Sequence, residues 1–197
     1  MLKSIIEQIR EARQLFRLTK SLFEVKRIQI IANSNTDQFL KLTNIASRFF
    51  YMLYWFTDNI HILMKVLNLN KIYPTVHLSH KVKTCAKYFW LAGLSLFLLI
   101  CCKIIRKTYT DESDLKVAAL NKMTVQQVMD NLKIIGKLRD DYWLNFSRAF
   151  LDLIICLNEV DLPFKVLGKR LSPGFEGVFG MGSALIYLYG LRRVSKT

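Results

Sequence analysis

The residues of this chain with chemical potential are three histidines, four cysteines, a run of glycines and a few polar side chains inside apolar sequence. His77 and His80 stand three apart, a spacing at which two imidazoles could share a metal. No cysteine or carboxylate lies near them in sequence, so the rest of a ligand set is missing and no metal site is expected. His61 sits alone in an aromatic stretch. Cys85, Cys101, Cys102 and Cys156 fall within or beside apolar runs, lack metal-ligand spacing, and read as buried thiols. Gly174, Gly177, Gly180 and Gly182 could suggest a phosphate-cradling loop. No Gly-Lys-Ser/Thr follows them, however, and their surroundings are too apolar to face a nucleotide. No nucleophile–base pair is visible either, so neither an enzyme nor a cofactor is expected. What remains are Asp152, Asn158 and Glu176, which suit helix contacts or the lining of a polar path.

The glycines call for a different account. Glycine costs roughly 1 kcal/mol per residue in a water-exposed helix, yet the segment 173–191 carries several of them and almost no charge. In a bilayer small residues allow helices to approach closely, and Gly180 with Ala184 gives the small-xxx-small spacing of a helix contact. Ser172 and Pro173 are suited to starting this helix. Composition agrees with a membrane setting. The 197 residues are 52% hydrophobic yet carry 29 basic against 15 acidic side chains, a net charge of +14. Apolar and basic together fit a surface that meets anionic headgroups. The bases flank apolar segments and do not line one stripe, and no nucleic-acid motif is present, so no nucleic-acid partner is expected.

In chain order, the pattern predicts helices throughout and no strand. Residues 1–27 form an amphipathic helix whose apolar stripe includes Ile5, Ile9, Phe16, Leu22 and Phe23. Its polar surface includes Arg10, Arg13, Arg17, Lys20 and Glu24; between Lys3 and Arg27 seven bases face three acids. Such a helix is too polar to span a bilayer. It suits the interface plane, although docking on a protein core fits the same pattern. Charged helical sequence follows Met1 directly, without the look of a secretory signal. A polar break at 33–37 leads to an aromatic helix, 38–69, and then to a basic connector around Lys71, Pro74 and Lys81. The apolar run Tyr88–Cys102 reaches spanning length if extended to 85–105, with Lys87 and Lys103 snorkelling outward. Thr108–Ser113 reads as a turn, amphipathic helices follow over 115–161 with a break at Asp140-Asp141, and the Gly-rich apolar helix 173–191 closes the order. The expected fold is an all-α membrane-associated bundle with about two candidate transmembrane helices.

The order of these segments resembles the Pex11 family of peroxisomal (or glycosomal) membrane proteins. Ile9 to Ser21 looks like the family's basic, Phe-Arg-Leu-containing amphipathic helix, and Tyr51 to Ile60 is similar to its aromatic stretch ending in Asp-Asn. Arg148 to Leu153, Leu157-Asn158 and Leu171 to Tyr189 are similar to its Leu-Asp-Leu helix and closing Gly-rich segment. The resemblance implies a single membrane domain that elongates the organelle before fission, with the fission machinery as a partner. A pore for small metabolites is the alternative it carries.

Physics supplies a cause for the first of these. A helix lying about 5–10 Å into one leaflet adds area to that leaflet alone, and the bilayer bends. Ile5, Ile9, Phe16, Leu22 and Phe23 would insert, while Arg10, Arg13, Arg17 and Lys20 would meet headgroups. Gly180 and Ala184 would support a homo-oligomer.

Overall fold

The computed structural model describes residues 19–66, 76–119, 125–169 and 171–194. All regular structure among them is helical: α1 (Lys20–Ala32), α2 (Gln38–Val66), α3 (Val76–Ala119), α4 (Val125–Glu159), α5 (Leu162–Leu167) and α6 (Pro173–Val194). The predicted break at 33–37 is present. There the Ser34 hydroxyl donates to the Ile31 carbonyl at 2.7 Å, and the Lys41 amide donates to Asp37 O at 2.8 Å, opening α2. Asp161 and Gly168 take left-handed backbone conformations (φ 62° and 68°), which bracket α5 and turn the chain back toward α6. Pro173 is the first residue of α6, where its missing N–H costs nothing.

Two expected breaks are absent. Thr108–Ser113 lies inside α3, which runs unbroken for 44 residues. Thr108 and Thr110 turn their hydroxyls back to the carbonyls of Ile105 and Arg106, and Glu112 binds Lys116 one turn on, so the polar run stays helical. Asp140-Asp141 likewise lies inside α4, where both carboxylates meet Arg193 of α6 at 3.1 and 3.6 Å. Neither stretch holds a Gly or Pro, and polar residues alone do not end a helix whose side chains find partners.

The chain forms two compact units. The first contains α1, α2, α3 up to Leu96, and residues 159–162. Helices α2 and α3 run antiparallel in it: Ser47 Oγ donates to Gly93 O at 3.0 Å, Phe50 meets Phe89, and Tyr54 stacks on Trp90 with 5.6 Å between ring centres. A Cβ on Gly93 would stand 3.4 Å from the Tyr51 ring and 3.5 Å from Ser47 O, so a small residue is what lets these helices approach. The second unit holds α3 from Phe97, α4 to Asn158, the chain from Pro163, and α6. In it Arg139 of α4 binds Glu112 of α3 and lies 4.7 Å over the Tyr109 ring. The Glu112 carboxylate holds the Arg139 guanidinium above its ordinary pKa.

Candidate membrane interface

A soluble bundle buries most of its large apolar side chains; this one leaves many of them exposed. The largest fully buried side chains are Thr108, Cys101, Cys156 and Ser47, and Glu24, Asn158 and Ser183 are buried with them. Phe39, Leu42, Phe56, Leu99, Ile134, Val178 and Leu185 are among the large apolar side chains left outside. Ile62, Leu94, Ile100 and Ile105 are buried as well, but a surface this rich in large apolar groups suits a hydrocarbon solvent, since lipid does not drive leucine inward.

Helix α3 is the element best suited to this solvent. Among the described residues it alone is long and apolar enough to cross a membrane, over His80–Val117. The apolar run Tyr88–Cys102 is centred on Ser95, whose hydroxyl is satisfied within the helix by Leu91 O at 2.9 Å. Half of a hydrocarbon core of about 30 Å is about ten residues of helix. The run is therefore bounded near Cys85 and Ile105, with Lys83, Lys87, Arg106 and Lys107 at its two margins. Lys87 is braced there by Glu159, whose carboxylate is 3.1 Å away.

The second expected crossing helix is not found. Segment 173–191 forms α6, which has the length to cross, but its glycines, tyrosines and Glu176 dilute its apolar character. It packs instead along α4 in an antiparallel hairpin. Asn158 Nδ2 binds the Glu176 carboxylate, Leu171 N donates to Asn158 Oδ1 at 2.9 Å, and the Ser183 hydroxyl donates to Asp152 Oδ1 at 2.7 Å. Arg148 lies 4.8 Å over the Tyr187 ring. Burial pushes the Asp152 carboxyl above its ordinary pKa, against the opposing pull of the Ser183 bond and the Arg148 charge.

Of the residues singled out in sequence, Ile5, Ile9, Arg10, Arg13, Phe16 and Arg17 lie outside the described residues. Leu22 and Phe23 are on α1, exposed to 70% and 63%. The Lys20 ammonium lies 4.6 Å over the Trp55 ring of α2. Glu24 is a correction. The sequence pattern puts it on the polar surface of its helix, whereas it is buried at 6% exposure, bound by Arg27 at 3.0 Å and by Arg48 of α2 at 3.5 Å. Nothing local marks Glu24 as internal, because its partner Arg48 lies on another helix.

Gly180 and Ala184 stand one turn apart on α6, with Gly180 half-buried and Ala184 exposed. A Cβ on Gly180 would stand 3.9 Å from Ile155 of α4, and one on Gly182 only 3.1 Å from Leu151, whereas Ala184 is exposed. Among the glycines of α6, Gly182 lies closest to α4, and spacing did not single it out. The four cysteines divide: Cys101 and Cys156 are buried as expected, while Cys85 and Cys102 are exposed on α3.

These features define an all-α helical bundle with one helix long and apolar enough to cross a membrane. The particular family is given by comparison: the chain belongs to the peroxisomal biogenesis factor 11 (PEX11) family, whose sequence profile matches residues 1–191. No curated protein and no solved structure gives a significant match. Family membership places the protein in the peroxisomal membrane, with a part in the biogenesis and proliferation of that organelle, among membrane-shaping proteins that are not enzymes.

Proposed function

We propose that this protein bends and elongates the peroxisomal membrane by laying its N-terminal amphipathic helix into one leaflet, while α3 anchors it and copies associate. The observation that carries this reading is the exposed apolar edge of α1, beside exposed bases. Leu22 and Phe23 project outward, Ile30 with them, while the one acid of the helix, Glu24, is turned in against Arg48. Burying a large apolar side chain is worth roughly 1.5–3 kcal/mol. An anionic surface adds at most about 1 kcal/mol per basic residue. Apolar insertion therefore dominates and charge orients.

The pore reading finds less support. Asp152, Asn158 and Glu176, the polar groups that could face a lumen, spend their polar atoms on Ser183, on the Leu171 amide and on each other.

The test is Leu22→Glu with Phe23→Glu in the full-length protein. Both side chains are exposed in the folded chain, so the charges do not disturb its packing and act only where lipid would be. The expected result is normal insertion of α3, loss of liposome tubulation, and short, unelongated peroxisomes in cells. Wild-type tubulation by the double variant refutes insertion through this face.

A further inference from the structure

Where α3 leaves the hydrocarbon, the second unit carries an open groove of about 390 Å³ lined by Cys102, Ile105, Arg106, Tyr109, Trp143 and Phe146. We propose that this groove binds one anionic phospholipid, with an acyl chain against Ile105, Phe146 and Cys102 and the phosphate on the Arg106 guanidinium. The site draws only on residues of the second unit.

Three observations commit the groove to this occupant. The first is depth. About ten helical residues from Ser95 the hydrocarbon ends, near Ile105, so Arg106 stands at the level of lipid phosphates and Tyr109 and Thr110 among headgroups. The second is charge. Arg106 is exposed and pairs with no carboxylate among the described residues, although it lines a groove whose other walls are mostly apolar. Arg139 of α4, over the Tyr109 ring, is by contrast engaged by Glu112. A guanidinium presents a planar fork of donors that fits a phosphate diester. The third is the rim. Trp143, half-exposed and packed edge-on against Phe146 with 5.6 Å between ring centres, and Tyr109 are the aromatic types that settle at headgroup level. A soluble anion would use the arginine and leave the apolar wall empty; a diacyl lipid uses both.

The experiment places the full-length protein in phosphatidylcholine nanodiscs doped with phosphatidylinositol bearing a photoactivatable group on its acyl chain. Crosslinked peptides are then mapped. Labelling is expected at Cys102–Ile105 and Trp143–Phe146. Arg106→Gln should lower it about fivefold, the ratio equivalent to about 1 kcal/mol for one basic residue at an anionic surface. Cys102→Phe, which fills the groove from an exposed position, should abolish it, and Lys137→Gln, an exposed base elsewhere on α4, should leave it unchanged. A phosphatidylcholine probe of the same chain should label these residues weakly. Equal labelling by both lipids, or undiminished labelling of Arg106→Gln, overturns the proposal and reduces the groove to ordinary annular contact.

Discussion

At the scale of single residues, the α4–α6 hairpin poses the sharpest electrostatic question. Asp152 is largely desolvated and binds Ser183, and burial outweighs that bond in setting its pKa. A carboxyl whose folded pKa is raised favours the folded state most when protonated. That contribution is present below the ordinary Asp range and is lost as pH rises through the folded value. Asp152→Asn keeps an Oδ1 acceptor for Ser183 and removes the charge. It should therefore raise the unfolding temperature at neutral pH, with the gain shrinking toward acid pH. Asp152→Leu should instead cost about 1–3 kcal/mol, because the buried Ser183 hydroxyl loses its partner. Thermal unfolding of the three proteins in one detergent, across pH, checks both statements. A gain from Asp152→Asn that is the same at every pH would show that the carboxylate's desolvation is not the cause. Neither this pair nor Glu24–Arg48 was legible in the sequence. Both join residues on different helices, and a periodic pattern reports only which face a residue is on, not what stands opposite.

At the scale of elements, much of the order was legible because it is written locally. The polar run at 33–37 and Pro173 at the first turn of α6 act through their own backbone preferences. The expected ends at Thr108–Ser113 and Asp140-Asp141 failed because partners distant in sequence, Arg139 and Arg193, keep those acids satisfied in mid-helix. For the N-terminal helix, the stripe that shows Leu22 and Phe23 outward extends by period to Ile9 and Phe16. Ile9→Glu with Phe16→Glu should abolish liposome binding by a peptide of residues 1–27. Arg10, Arg13 and Arg17 to Gln should weaken binding less, and chiefly on anionic vesicles. Their loss removes about 1 kcal/mol each at most, against roughly 1.5–3 kcal/mol for each fully buried apolar side chain. Vesicle flotation measures both. If the arginine variant is the more damaging on neutral lipid, headgroup binding and not insertion drives the association.

At the scale of the whole molecule, the question is which surface joins copies. The sequence offered one pair, Gly180 and Ala184, one turn apart on α6. Gly180 faces Ile155 within the same chain, while Ala184 lies outward beside Met181, Leu185 and Leu188, an apolar strip that nothing in the second unit covers. The two substitutions should therefore act on different properties. Gly180→Leu pushes α6 away from α4, strains the bonds at Asp152–Ser183 and Asn158–Glu176, and should lower stability by about 1–3 kcal/mol. Ala184→Leu adds bulk where the chain is open, so stability should hold while a close helix–helix approach between copies is blocked. Crosslinking yield in isolated membranes, read beside thermal stability, separates the two. The expected pattern is reduced crosslinking with unchanged stability for Ala184→Leu, and reduced stability for Gly180→Leu. If Ala184→Leu crosslinks as well as wild type, the outward strip of α6 does not carry self-association and the contact must lie on another helix.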